Sequence, residues 1–133
     1  MNAEENLKKL GLVLPEPPQA AGSYVPVLQI GDLLFLSGVL SRSADGVLTG
    51  RAGEDSTVER GQQAARLAAL AALSVIRQHL GGLDRVKRIV RVVGYVQSGI
   101  GFTEIPKVLN GASALPIYAR ANALWPVSGS RKT

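Results

Sequence analysis

Few side chains in this sequence are equipped for chemistry. There is no cysteine, which excludes disulfides, thiolate metal sites and cysteine nucleophiles. His79 is the single histidine, so a histidine-based metal cluster is excluded as well. Ser37 has no histidine and acid constellation to activate it, which argues against a serine hydrolase. Arg85, Lys87, Arg88 and Arg91 form a dense basic run, but few aromatic residues interrupt it, so it reads as a solvated or intersubunit face and only weakly as a nucleic-acid surface. His79 falls near a predicted helix end, where it is expected to meet free carbonyls. Any chemistry must use other groups.

The elements that must position those groups fit one domain. The 133 residues are 46% apolar and 19% charged, a composition that folds rather than stays disordered. Residues 1–56 carry four basic and seven acidic side chains and residues 57–133 eleven basic and three acidic, so a net charge of +5 conceals halves of −3 and +8. Such a surface can attract phosphates or small carboxylates, or face the acidic half of a neighbouring subunit. No apolar run is long enough to cross a membrane and no secretory signal is visible, so a soluble cytoplasmic protein is the expectation.

Pro15, Pro17 and Pro18 predict an extended N-terminal arm over residues 1–22, with at most a short amphipathic turn before them. Residues 24–30 and 33–38, joined by Gly31-Asp32, predict a β-hairpin whose second strand is buried on both faces. Pro26 requires the first strand to lie at an edge or to begin after it. Residues 41–55 read as a surface loop turning at Asp45-Gly46. Ser56 and Glu59 match a capping box opening a helix over 57–80, with alanines packed on a strand layer and Gly81-Gly82 as its end. Residues 86–97 have the Val and Ile content of a central strand. A second helix is expected over 103–113, capped by Thr103, with Pro106 in its first turn. The order is β-β-α-β-α, an α+β arrangement with helices on one sheet face, and the uncovered face predicts self-association.

Several segments, in order, resemble the YjgF/Rid family, in particular its RidA-like branch often called endoribonuclease L-PSP. They are Gly11-Leu-Val-Leu-Pro15, Gly22-Ser-Tyr-Val-Pro26, Leu33-Leu-Phe-Leu-Ser-Gly38, Gly50-Arg-Ala-Gly53, Ala64-Ala-Arg-Leu-Ala68, Gly94-Tyr-Val96 and Phe102 with Pro106-Lys-Val-Leu-Asn-Gly-Ala-Ser113. The resemblance implies a chorismate-mutase-like α+β fold and a homotrimer with ligand clefts between subunits. It also implies cofactor-free hydrolysis of reactive enamines or imines of the 2-aminoacrylate type to a 2-keto acid and ammonia. By the same resemblance Tyr24, Ser37, Gly38 and Asn110 belong to the cleft that binds a small carboxylate or imine, and no metal is involved. The chain departs from the family after Ser113, so residues 114–133 are a divergent tail. No Asp or Glu follows Glu104, so the family's late carboxylate is absent. Arg120 is an out-of-register substitute for the family's carboxylate-holding arginine. Residues 118–125 are candidates for a replacement edge strand. Two alternatives to the hydrolase remain: a keto-acid-binding regulatory protein without turnover, and an L-PSP-type endoribonuclease. Neither a nucleic-acid nor a membrane partner is expected.

Overall fold

The structure is a computed structural model that describes residues 2–20 and 22–115. Its first element, α1 (Ala3–Lys9), stands where an extended arm was expected. The signal was local: the Asn2 side chain accepts from the Glu5 amide while the Glu5 carboxylate accepts from the Asn2 amide, a complete capping box. Ala3 and Leu7 then bury their side chains in a core with Leu70, Leu73, Ile76, Leu83 and Leu115. The arm proper begins only after this helix. It carries Pro15, Pro17 and Pro18, and residues 13–20 make no backbone hydrogen bond among the described residues.

The hairpin forms as expected, with β1 (Val27–Ile30) and β2 (Leu33–Leu36) antiparallel and Val27 opposite Leu36. The first strand begins directly after Pro26, which cannot donate to a ladder. Gly31 turns the chain at φ +57°, the conformation that the first central position of a II′ turn reserves for glycine. Burial of the second strand on both faces is not found. Leu34 and Leu36 pack towards the core, whereas the pairs Leu28 with Phe35 and Ile30 with Leu33 present an exposed apolar face. Between Ser41 and the next helix, β3 (Arg42–Ser43) and β4 (Gly46–Val47) make a minimal hairpin around Ala44-Asp45.

The long helix α2 (Val58–Leu80) is capped one residue later than the sequence suggested. Thr57, not Ser56, accepts the Arg60 amide, and Arg60 in place of an acid rules out a capping box at that register. Helix α3 (Ile105–Ser113) likewise starts later than Thr103. Its N-cap is Glu104, without a side-chain cap bond, because Pro106 already occupies the first turn. The two helices pack against one another more than on strands. Gly111 meets the Gln62 backbone carbonyl so closely that any Cβ there would collide with it, Gly61 faces Val108, and the Gln62 amide donates to the Lys107 carbonyl at 2.9 Å.

Residues 86–97 form no strand. Exposure alternates from Val92 to Gln97, but among the described residues no strand pairs with them. A ladder needs a partner, and β-forming composition cannot supply one. Val86 packs against the core at its start, the Leu109 side chain lies against Gly94, and at its end Ala52 donates to the Gln97 carbonyl and accepts from the Gly99 amide. The element order is therefore α-β-β-β-β-α-α, still α+β. The expected edge strand at residues 118–125 lies outside the described residues.

Candidate functional site

The open end of the β1–β2 hairpin and the returning N-terminal arm meet over the last third of α2. Ser37 sits one residue past β2. Its amide donates to the Pro26 carbonyl at 3.0 Å and its hydroxyl to the Val25 carbonyl at 2.6 Å, so the pairing of the hairpin continues one step into the loop and fixes the serine. That bond spends the hydroxyl proton and leaves the Ser37 oxygen as an acceptor. The backbone amides of Gly38 and Val39 carry no hydrogen bond among the described residues, which leaves two donors at the same rim.

Tyr24, Ser37 and Gly38 border one small pocket of about 20 Å³, room for about one water molecule. Its floor is Val75, on the buried side of α2 and 3% exposed, and its far wall is Pro18, Gln19 and Ala20 of the arm. Tyr24 is 48% exposed, so its ring flanks the pocket instead of filling the core. Three of the five residues expected in a cleft are thus brought together. Asn110 is not among them. It lies on the exposed side of α3, which packs near Gly61 and Gln62, thirteen or so residues from Val75 along α2 and therefore about 20 Å away at 1.5 Å per residue. Arg120 lies outside the described residues. The arm residues and Val75 were not legible beforehand: Val75 looks like any core position of an apolar helix stripe, and nothing in a proline-rich stretch says where it will return.

The electrostatics are organised elsewhere. Glu4 receives two bonds from Arg77, at 3.1 and 2.6 Å, and one from the Leu83 amide at 3.1 Å. The Arg77 hydrogen bond, reinforced by the Leu83 amide, holds the Glu4 carboxyl below its ordinary value although burial opposes this. This clasp ties α1 to the end of α2 and so anchors the start of the arm that walls the pocket. His79 does not meet free carbonyls as expected. Its Nε2 lies 2.8 Å from the Gln29 Oε1 and joins α2 to the hairpin, while Arg85 supplies the bond to the Leu80 carbonyl. Ser74 of α2 is 3% exposed and donates to the Ala71 carbonyl, and residues 14–17 of the arm lie on that face. Among the described residues no group of three His, Cys, Asp or Glu side chains could hold a metal ion, and no helix is long and apolar enough to cross a membrane.

Comparison with known proteins adds to this geometry. Residues 4–124 match a family model described as "YjgF/chorismate_mutase-like, putative endoribonuclease". Protein TCP17 of Trypanosoma cruzi is 43% identical over 111 residues, 83% of this chain and 69% of that protein. A crystal structure titled as a "putative endoribonuclease" from Shewanella oneidensis MR-1 superposes with a TM-score of 0.87 at 37% identity, covering 91% of this chain and 82% of the other. The protein Atu1372 of Agrobacterium tumefaciens, described as of unknown function, gives 0.75 at 36% identity, covering 85% and 69%.

Proposed function

Since this chain belongs to the YjgF/chorismate-mutase-like endoribonuclease family, we propose that it hydrolyses small enamine or imine acids of the 2-aminoacrylate type in the pocket under Tyr24. The carrying observation is the convergence of Tyr24, Ser37 and Gly38 on one pocket within a single chain. In the reaction, water adds to the imine carbon, the carbon–nitrogen bond breaks, and ammonia leaves a 2-keto acid. Such a substrate is already electrophilic, so the protein has only to hold it against water in the right orientation. The free amides of Gly38 and Val39 are suited to the substrate carboxylate, the Ser37 oxygen is suited to accept from the attacking water or the imine N–H, and Arg120 is the proposed carboxylate clamp.

The family's clefts lie between subunits, and two features support a homotrimer here. The apolar face of Leu28, Ile30, Leu33 and Phe35 is about half exposed in one chain. Asn110 is too distant from its own Tyr24 pocket and reaches such a cleft only across a subunit boundary.

A second reading, keto-acid binding without turnover, is favoured by one observation: among the described residues no Asp, Glu, His or Lys lines the pocket. Assaying 2-aminoacrylate hydrolysis alongside titration of 2-keto acids decides between the two. Hydrolysis above the spontaneous rate that falls in Tyr24→Phe and Ser37→Ala supports the enzyme. Keto-acid binding without acceleration selects the binding protein, and neither activity refutes both.

A further inference from the structure

The arm contributes the one polar side chain at the pocket that nothing else uses. Of the polar side chains lining it, Ser37 gives its proton to the Val25 carbonyl and Tyr24 is already engaged. Gln19 has no hydrogen-bond partner among the described residues, which leaves its carboxamide with two donors and an acceptor. We propose that Gln19 is a ligand-binding residue, donating from its carboxamide to the carboxylate of a keto or imino acid, and that the arm is the movable wall that closes over it.

This rests on the small-acid reading of the pocket and assigns a further residue to it. Three observations carry it. Among the described residues the pocket wall holds no carboxylate that would repel an anion, while Gln19, Gly38 and Val39 all border it and bring a carboxamide and two unbonded backbone amides. The present volume of about 20 Å³ is too small for the six heavy atoms of the shortest 2-keto acid, so one wall must retreat. The arm is the wall able to do so, because residues 13–20 make no backbone bonds, whereas the hairpin is held by its ladder and Val75 by the buried side of α2. Pro17 and Pro18 limit the freedom Gln19 loses when the arm settles on a ligand, and α1 keeps the arm tethered meanwhile.

The test is calorimetric titration of the full chain with pyruvate and with its neutral amide, pyruvamide, using wild type, Gln19→Ala, Gln19→Glu and Tyr24→Ala. Loss of a neutral hydrogen bond weakens pyruvate binding by about three- to tenfold in Gln19→Ala. The added charge in Gln19→Glu weakens pyruvate more than tenfold while changing pyruvamide less than about threefold, a discrimination that a merely structural role would not produce. Gln19 is exposed and bonded to nothing, so melting temperatures stay unchanged in both variants. If Tyr24→Ala weakens pyruvate while both Gln19 variants match wild type, the pocket reading stands and the role of Gln19 is overturned. A wild type that binds no pyruvate overturns both.

Discussion

Replacing Glu4 by alanine removes the clasp between α1 and the end of α2 and strands two partners. The Arg77 and Glu4 side chains are 40% and 31% exposed, so their ion pair is screened and contributes about 1 kcal/mol, at the upper end for exposed pairs because it is bidentate. The Leu83 amide belongs to a residue that is 0% exposed, and leaving such a donor without Glu4 Oε1 costs about 1–2 kcal/mol more. Glu4→Ala should therefore lose about 2–3 kcal/mol, which at this chain length lowers the melting temperature by about 6–12 °C. Glu4→Gln keeps an acceptor for Leu83 and should lose about 1 kcal/mol. The sign of the pH dependence is set by the direction of the shift. A carboxyl whose folded value lies below the ordinary 4.5 contributes its stability in full above 4.5 and loses it as the pH falls through the folded value. The gap between wild type and Glu4→Gln is thus constant at neutral pH and narrows below pH 4.5. Urea unfolding at pH 7 and at pH 3.5, with a double-mutant cycle through Arg77→Ala, measures each part. A loss under about 0.5 kcal/mol for Glu4→Ala, or strict additivity with Arg77→Ala, would refute the reasoning.

Gly111→Ala forces a methyl group into the Gln62 carbonyl and should cost about 3 kcal/mol or more, seen as a collapsed melting temperature or loss of soluble protein. Gly38→Ala, where the added methyl meets nothing within 4 Å, should stay within about 1 kcal/mol of wild type in the same melt. His79→Ala should cost about 1 kcal/mol in urea unfolding and Gln29→Ala more, since it also removes the bond from the Gln29 side-chain amide to the Gly31 carbonyl; the double variant should cost no more than Gln29→Ala alone. Phe35→Asp places a charge on the exposed hairpin face and should shift the light-scattering mass from trimer to monomer, while a wild-type monomer would remove the trimer proposal. Arg120→Ala should weaken 2-keto acid binding about ten- to a hundredfold, the loss of one charge-assisted contact, and unchanged titration would remove Arg120 from the site.

What the sequence showed plainly was what is decided locally. The turn at Gly31-Asp32, the strand start after Pro26 and the end of the long helix at Gly81 each depend on a residue and its neighbours, and each falls where its chemistry puts it. The capping box of α1 is equally local, set by Asn2 and Glu5 alone, ahead of the three prolines that make the following stretch an arm. Residues 86–97 failed for a different reason, since strand composition describes a surface that pairs well and carries no information about what pairs with it. Gly111 shows the same limit. In sequence it weakens a helix, and in the fold it is what lets α3 touch α2. Of the candidate site, Tyr24, Ser37 and Gly38 were reachable through the family's pattern, while Gln19 and Val75 depend on where a distant segment returns.

Residues 86–97 also bear on how newly made chains behave. Val90, Val93 and Tyr95 are 66%, 54% and 95% exposed on a segment whose backbone, among the described residues, is bonded at its two ends, Val86 to the Leu83 carbonyl and Gln97 to the Ala52 amide. An extended, β-branched segment with free amides and carbonyls is a template on which another such segment can build without limit. Lys87, Arg88 and Arg91 punctuate this one, and none of them is matched by a carboxylate ion pair among the described residues. Unneutralised, they make two copies of the segment repel one another edge to edge, which is how natural sequences keep an unavoidable sticky stretch from growing into aggregates. Neutralising those three side chains is therefore expected to raise the aggregation of newly made chains.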